Sequence, residues 1–324
     1  MTNLNNFKLE IDADGIATFL FDVPGRTMNT FTASAVDDLE RIADVLARPD
    51  VTGGVLASGK ANAFCAGADL MEMDDTISGE VESQDAAYAR SHRMSLLLRK
   101  VETCGKPVAA ALEGLALGGG FEFALAAHYR TASPRAKVGL PEVTIGLLPG
   151  GGGTQRTPRL AGVEAALDLM LTGKPVDAER AHKLGLVDEL TAPGEAVTAA
   201  KAWVRTCEDP TAPWDRKGWV MPGGPYTPQG NAGFVARPAR SRPRATATIP
   251  PRRISPDASM KASACRWTSR WKSRGGCSSP PSTPFRPGRW CACSSTDRRW
   301  PGVARGPKGC RPTPSPRRRC SARG

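Results

Sequence analysis

A run of three glycines followed by a glutamate is the part of the sequence best suited to chemistry. Residues 118–122 are Gly-Gly-Gly-Phe-Glu, and the residues after them predict a helix that starts at the glycines. Backbone without side chains lets N–H groups approach a ligand oxygen closely, and a helix start makes those N–H groups partly positive. The run is therefore suited to hold an oxygen that becomes negative, beside a glutamate that can transfer a proton.

A second small-residue turn and a second glutamate extend this candidate site. Residues 64–69, Phe-Cys-Ala-Gly-Ala-Asp, lead into a short predicted helix and so offer another free N–H. Two convergent N–H groups would form an oxyanion hole, and Glu142, after Pro141, supplies a second acid or base. The plainer alternatives are close helix packing for the glycines and solvated positions for both glutamates. The apolar neighbours of Glu122 argue against a surface position.

The elements that must position these residues alternate between strands and helices. Alternating apolar residues over 7–11 and 16–21 predict a hairpin, and Thr32 is a suitable N-cap for the helix that follows. We further predict strands over 51–58 and 107–112 and helices over about 85–102, 154–160, 163–171, 177–184 and 195–205. This order is typical of an α/β domain with layers around a largely parallel sheet.

The composition divides the chain near Ala236. Residues 1–236 contain 22 Lys and Arg against 30 Asp and Glu, whereas residues 237–324 contain 22 against 2. The second part has 19 Arg, 14 Pro and six Cys but lacks Leu, Glu, Asn, Gln, Tyr and His. Without aliphatic residues at any period it cannot bury a core, so we predict disorder. We expect a domain over 1–205, a Pro-, Gly- and Trp-rich linker over 206–236 and a basic tail over 237–324.

Three interpretations of the tail stay open. It is a solvated disordered arm, a nucleic-acid-binding arm in which Trp267, Trp271 and Trp290 stack on bases between arginines, or the product of a shifted reading frame. A GC-rich gene read one base out of frame yields abundant Arg, Pro, Ser, Cys and Trp, which favours the third interpretation. We therefore expect no nucleic-acid partner.

Several functional classes are disfavoured by what the sequence lacks. The polar start, Met-Thr-Asn-Leu-Asn-Asn, does not resemble an export signal, and no run of 18 apolar residues predicts a membrane span. Only three cysteines precede residue 237, too scattered for a disulfide framework or a metal site. The three histidines lack the neighbours of a triad or a zinc site. We expect a cytoplasmic protein without a metal.

The chain resembles the enoyl-CoA hydratase/isomerase (crotonase) family. The matching segments are ordered along about residues 7–200 and are Phe-Cys-Ala-Gly-Ala-Asp (64–69), Lys-Pro-Val-Ala-Ala-Ala (106–111), Gly-Gly-Gly-Phe-Glu (118–122), Gly-Leu-Pro-Glu (139–142) and Gly-Leu-Leu-Pro-Gly-Gly-Gly-Gly-Thr-Gln-Arg (146–156). Residues 209–218 further resemble the multifunctional alpha subunits of fatty-acid oxidation, in which a 3-hydroxyacyl-CoA dehydrogenase follows the hydratase. That resemblance stops where the composition changes, and we expect no dehydrogenase in this chain.

The resemblance implies a fold, a substrate and roles for individual residues. It implies a spiral of β-β-α units, an acyl-CoA thioester as substrate, no cofactor, and either a trimer-like homo-oligomer or a complex with a thiolase subunit. Glu122 and Glu142 match the two catalytic acids. The thioester oxygen would be held by the N–H groups of Ala66 and Gly119. The expected substrate contacts are Lys60, Ala61, Ala63, Gly67, Ala68, Asp69 and Gly118, although an exposed lysine is often only solvated.

Two glutamates favour hydration of trans-2-enoyl-CoA to 3-hydroxyacyl-CoA. Because Glu122 is expected in the first turn of a helix, whose dipole favours its anion, we assign it as the base that activates water. Glu142 is then the acid that protonates C2. The alternatives are a Δ3-Δ2-enoyl-CoA isomerase and an inactive, truncated fragment that binds acyl-CoA or serves in assembly.

Overall fold

The computed structural model describes residues 4–72, 84–224, 227, 228, 230 and 231, along which strands and helices alternate. The strands are β1 (Phe7–Ile11), β2 (Ile16–Phe21), β3 (Gly53–Ser58), β4 (Ala63–Cys65), β5 (Val108–Leu112), β6 (Leu115–Leu117), β7 (Tyr129–Ala132), β8 (Lys137–Gly139), β9 (Val176–Asp177) and β10 (Glu189–Leu190). The helices are α1 (Ala33–Leu46), α2 (Gln84–Glu102), α3 (Gly119–Leu125), α4 (Gly153–Thr172), α5 (Ala178–Lys183) and α6 (Ala196–Thr206), with 3-10 turns at Glu142–Ile145 and Pro213–Asp215.

The strands form two sheets. The first has the order β1-β2-β3-β5-β7-β10 and is parallel except for the β1-β2 hairpin. The second has the order β4-β6-β8-β9, with β4, β6 and β8 parallel. Successive units β3-β4-α2, β5-β6-α3 and β7-β8-α4 each place one strand in each sheet, so the chain advances as a spiral of β-β-α units. The predicted α/β fold is confirmed.

The second sheet was absent from the sequence-based prediction, which contained a single layered sheet. Its strands β4, β6 and β8 have only three residues each. Three residues are too few for an alternating pattern to be read. These short strands nevertheless position the site, because each of the two small-residue turns follows one of them.

A cluster of phenylalanines holds α3 in place. Phe123 of α3 lies edge-on to Phe31, with ring centroids 5.6 Å apart, and stacks on Phe64 at 6.0 Å. Phe31 and Phe7 connect this cluster to Phe21 of the large sheet. Burying a phenylalanine contributes about 1.5–3 kcal/mol, so the start of α3, and Glu122 with it, has a rigid support.

The predicted helix boundaries agree with the structure to within about two residues. The helices predicted over 154–160 and 163–171 are the two halves of α4, which meet at a kink where the backbone leaves helical geometry at Gly162 (φ 81°). A carbonyl oxygen of Pro222 would lie 2.8 Å from a Cβ at this glycine. The positive φ and the close backbone contact together require glycine at the bend.

The described part of the predicted linker, 206–236, is anchored to the domain. Asp215 accepts two hydrogen bonds of 2.7 Å from Arg99, and Ala212 and Met221 are buried. The predicted disordered tail, 237–324, lies outside the described residues. Within the described part of the chain, no helix has both the length and the apolar character needed to cross a membrane.

Candidate active site

The two small-residue turns predicted from the sequence lie against each other. A Cβ on Gly120 would lie 2.5 Å from the carbonyl oxygen of Cys65, and one on Gly67 would lie 3.6 Å from the nitrogen of Gly119. Gly67 also has φ 107° and Gly118 has φ 52°, which other residues rarely adopt. Glycine is therefore required here for close approach and for backbone conformation, as the pairing of the two turns predicts.

The backbone hydrogen bonds of the first turn decide which N–H groups are available. The N–H of Ala66 donates to the carbonyl oxygen of Asn29 at 2.9 Å. That donor is therefore engaged, which does not fit the expectation that Ala66 supplies the oxyanion hole.

The N–H of Ala68, two residues later, is placed differently. Gly67 accepts from the N–H of Phe31 and Asp69 donates to the oxygen of Phe31, at 2.8 and 3.0 Å, so Phe31 and Ala68 form a parallel bridge. Extended backbone alternates its direction, so the N–H of Ala68 faces away from Phe31. Neither Ala68 nor Gly119 has an acceptor for its N–H among the residues that the structure describes.

Asn29, which is not among the residues predicted from the sequence, supports the first turn. Its side chain is fully buried, donates to the carbonyl oxygens of Phe21 (2.6 Å) and Phe64 (3.0 Å), and accepts from the N–H of Val23 (3.0 Å). The only sequence signal was an asparagine in a loop, which is common. Its role depends on loop ends that tertiary contacts bring together.

Replacement of Asn29 by alanine is expected to lower the free energy of unfolding by about 3 kcal/mol, because it leaves several buried backbone groups without partners. Urea denaturation measures this loss. The control is Asn5→Ala at an exposed position, which should change stability by no more than about 0.5 kcal/mol. Equal stability of the two variants would contradict the supporting role.

Glu122 is buried behind a loop of glycines, residues 151–153. Its Oε1 accepts from the N–H of Gly153 at 2.7 Å, and a Cβ on Gly151 would lie 2.8 Å from its Oε2. Burial raises the pKa of Glu122, while the N–H groups of this loop and the charge of Arg156 act in the opposite direction. The pKa of Glu122 is therefore governed by burial and not, as expected from the sequence, by the helix dipole, because the first turn of α3 is buried.

Glu142 lies at the start of the 3-10 turn Glu142–Ile145 and faces Gly118 of the second turn. Its Oε1 would lie 3.2 Å from a Cβ on Gly118. Its Oε2 is buried without a hydrogen-bond partner among the described residues. Burial, and secondarily the charge of Glu122, raise the pKa of Glu142 to about 7. The two carboxyl groups are thus close enough to influence each other's ionisation.

Some of the expected substrate contacts have other partners. Lys60 forms an ion pair of 2.6 Å with Asp22 and donates to the oxygen of Val23. Asp69 is buried, pairs with Arg26, and accepts from the N–H of Met71 at 3.0 Å, which caps the helical residues 70–72. These contacts give both side chains a structural role.

The small residues among the expected substrate contacts do not all lie in one place. Ala63 is buried in β4 and Gly67 and Gly118 are buried in the facing turns, while Ala61 and Ala68 are exposed. Gly67, Ala68 and Gly118 therefore line the junction of the two turns beside Gly119. Ala61 lies before β4, outside this junction.

Comparison with known proteins agrees with this geometry. The family model described as Enoyl-CoA hydratase/isomerase matches residues 12–211. The fatty acid oxidation complex subunit alpha of Shewanella amazonensis is 46% identical over 187 residues, which cover 57% of this chain and 26% of that protein. The corresponding protein of Shewanella halifaxensis is 45% identical over 186 residues. The chain thus spans about a quarter of the length of these relatives.

Solved structures show the same architecture. An enoyl-CoA hydratase from Bacillus anthracis superimposes with a TM-score of 0.56 and 29% identity, covering 62% of this chain and 75% of that one. DspI from Pseudomonas aeruginosa gives 0.54 and 30%, covering 62% and 79%. With its two facing glycine turns, its pair of glutamates and its two-sheet spiral, this chain belongs to the enoyl-CoA hydratase/isomerase family.

Proposed function

We propose that the protein adds water to trans-2-enoyl-CoA and forms 3-hydroxyacyl-CoA, as a hydratase of fatty-acid β-oxidation. The observation that carries the proposal is a pair of carboxyl groups at the facing glycine turns, the buried Glu122 and the partly buried Glu142, whose Oε2 is buried. Hydration needs one group that takes a proton from water and one that delivers a proton to carbon. Family membership and the names of the Shewanella relatives support this reaction class.

The proposed oxyanion hole consists of the N–H groups of Ala68 and Gly119. Both belong to the facing turns, and neither has another acceptor in the described part of the chain. This proposal replaces Ala66 by Ala68, because the N–H of Ala66 already donates to Asn29. Such a pair would polarise the thioester carbonyl and stabilise the enolate that forms.

The proposed division of labour follows the hydrogen bonds of each carboxyl group. Glu122 accepts from the N–H of Gly153, an interaction that an ionised carboxylate makes best, so Glu122 is the base. Glu142 has a pKa raised to about 7 and so retains a proton to donate at neutral pH. Because each negative charge disfavours the other, one proton shared by the pair is the stable state.

The proposed reaction follows from these roles. Glu122 removes a proton from water while the oxygen of that water bonds to C3, and the π electrons move to the thioester oxygen. The enolate then collapses and C2 takes the proton of Glu142. Transfer of the proton from Glu122 to Glu142 restores the starting state. No cofactor is needed, since the thioester itself stabilises the carbanion.

The remaining proposals concern surroundings and partners. We propose a cytoplasmic protein that binds an acyl-CoA and assembles as a trimer-like homo-oligomer or with a thiolase subunit, as the name "complex" of the relatives suggests. Gly67, Ala68 and Gly118 are the proposed substrate contacts. Lys60 and Asp69 are not, because their charged groups are already paired.

An assay with two substrates tests the proposal. Purified protein mixed with a trans-2-enoyl-CoA should remove the absorbance of the conjugated thioester and yield 3-hydroxyacyl-CoA by mass. A 3-enoyl-CoA distinguishes the isomerase alternative, because an isomerase produces the conjugated thioester and adds no water. Absence of turnover with both substrates would favour the inactive fragment.

The raised pKa of Glu142 predicts a loss of activity at alkaline pH. Below about pH 7 the group carries the proton that C2 must receive, and above it the proton is lost. We expect kcat/KM to fall about tenfold per pH unit above roughly pH 7 to 8. A profile that stays flat or rises to pH 9 would contradict the assignment.

Two variants test whether Glu142 causes this alkaline limb, the fall in kcat/KM at high pH. Glu142→Gln should lower kcat/KM by about 10²–10⁴-fold and remove the limb, because an amide does not titrate. Glu179→Gln, a change at an exposed position, should retain it.

A further inference from the structure

Arg156 lies behind the glycine loop that contacts Glu122. Its guanidinium is buried and donates from Nε to Oε1 of Glu102 at 2.8 Å and from Nη2 to Oε2 at 3.2 Å. Its Nη1 donates to the carbonyl oxygen of Gly151 at 3.1 Å. One side chain thus bonds simultaneously to the loop and to the end of α2.

The loop is a thin layer between Arg156 and Glu122. A Cβ on Gly152 would lie 2.3 Å from Nη1 of Arg156, and a Cβ on Gly151 would lie 2.8 Å from Oε2 of Glu122. Side chains at either position would separate these groups. The conformation of the loop, and therefore the direction of the N–H of Gly153 toward Glu122, depends on what holds the loop from behind.

Glu102 is itself held from the other side. Arg99 donates to its Oε2 at 2.5 Å and makes two bonds of 2.7 Å to Asp215. The backbone oxygen of Glu102 also contacts Nε2 of His128 at 2.9 Å. The chain of ion pairs therefore extends from the loop to the segment Pro213–Asp215, which follows the last long helix.

We propose that Arg156, fixed by Glu102, is a positioning residue that presses the glycine loop 151–153 against the carboxylate of Glu122 and keeps its N–H groups aimed at that carboxylate. The inference rests on the proposed function, in which Glu122 is the base. Arg156 does not touch the reacting atoms.

The ion pair also sets the electrostatic surroundings of Glu122. The charge of Arg156 from α4 favours the anion of Glu122. The charge of Glu122 in turn raises the pKa of Glu142 from the 3-10 turn, and this repulsion between the two carboxylates is mutual. Glu102 holds Arg156 in place and partly offsets its charge. Removing the ion pair should therefore raise the pKa of Glu122, because burial remains while a favourable charge and ordered N–H donors are lost.

A paired substitution tests this without leaving a charge buried alone. Arg156→Met combined with Glu102→Gln removes both charges, which is tolerated better than removing one. The control is Arg130→Met with Asp188→Asn, since Arg130 is equally buried and pairs with Asp188 at 2.6 Å. Thermal unfolding establishes that both double variants are folded.

The first measurement does not depend on enzymatic activity. Carboxyl 13C NMR titration, with the Glu122 signal identified by its loss in Glu122→Gln, should show an apparent pKa of Glu122 about one unit higher in the first double variant. It should be unchanged in the control. A protein that failed to hydrate enoyl-CoA would refute the proposed function, yet this titration would still decide the positioning role.

The second measurement is kinetic. In the first double variant kcat should fall about tenfold while KM changes less than about twofold, because Arg156 acts through Glu122 rather than on the substrate. A folded double variant with the wild-type pKa of Glu122 and the wild-type kcat would overturn the inference.

A conservative variant tests the same inference if the double variant does not fold. Arg156→Lys keeps the charge but cannot bond to Glu102 through two nitrogens and to Gly151 through a third. We expect kcat to fall about tenfold with the pKa of Glu122 within about half a unit of wild type. Full activity of Arg156→Lys would overturn the positioning role.

Discussion

Glu122→Gln is expected to lower kcat for enoyl-CoA hydration by about 10³–10⁴-fold, the upper part of the range for loss of a general base. The amide cannot accept a proton from water, whereas its oxygen can still accept the hydrogen bond from Gly153 that the carboxylate accepts at 2.7 Å. The loop should therefore keep its conformation. Steady-state kinetics with a trans-2-enoyl-CoA measure the effect, and KM should change little.

The same variant should be close to the wild type in stability, because relief of the buried charge is offset by an amide NH2 that, unlike a carboxylate oxygen, cannot accept from the N–H groups of Gly151 and Gly152. A buried carboxylate is costly because burial disfavours its charge, which is the cause of the raised pKa of Glu122. A neutral amide of nearly the same shape avoids that cost. The control is Glu10→Gln at an exposed strand position, which should leave kcat unchanged. If Glu122→Gln retained more than about a tenth of wild-type kcat, Glu122 would not be the base.

Gly120→Ala is expected to lower kcat by about 10²–10³-fold, comparable to the loss of one oxyanion donor. A Cβ at this position would lie 2.5 Å from the oxygen and 2.6 Å from the Cβ of Cys65. One is a backbone atom and the other is fixed directly to the backbone of the fully buried Cys65, so neither can move aside cheaply and the two turns must separate. The N–H groups of Ala68 and Gly119, which we propose as the oxyanion hole, would then be displaced from each other.

Two controls separate the effect on geometry from the effect on stability. Gly53→Ala introduces a similar overlap, 2.5 Å from Cγ1 of Val204 and 2.8 Å from the oxygen of Pro107, on β3. It should lower stability by about 1–3 kcal/mol while kcat per folded molecule stays near wild type. A Cβ on Gly150 would have no described atom closer than 4.0 Å. Gly150→Ala should therefore change neither stability nor kcat. Equal kcat in Gly120→Ala and Gly53→Ala would show that the junction of the two turns does not determine the rate.

The prediction of the fold succeeded where elements were long. The hairpin, α1 with its cap at Thr32, α2 and α6 all have apolar periodicity over five or more residues, and each is confirmed by the structure. The three-residue strands of the second sheet are too short to show a periodic pattern of apolar residues. Their existence depends on hydrogen bonds between segments such as β4 and β6, about 50 residues apart along the chain.

The residue types of the candidate site can be read from the sequence, whereas the atoms proposed to act in it depend on tertiary contacts. Glycines at 118–120 and two glutamates indicate an oxyanion site by composition and order alone. Which N–H is available at residues 64–69 depends on the bonds of Ala66 with Asn29 and of Asp69 with Phe31. The pairing of Lys60 with Asp22 and the role of Asn29 likewise depend on long-range contacts.

The sequence by itself was enough to identify the family of this protein and to single out the two glutamates and the two small-residue turns as candidate site residues. Side-chain types and their order along the chain carry that information. Only the tertiary structure decided that, among the described residues, the N–H of Ala68 rather than that of Ala66 has no acceptor. The same holds for the burial of Glu122 behind residues 151–153 and for the position of Arg156 behind that loop. The physical reason is that hydrogen bonds and burial belong to the distances between segments, and those distances arise only when the two sheets and their helices pack together.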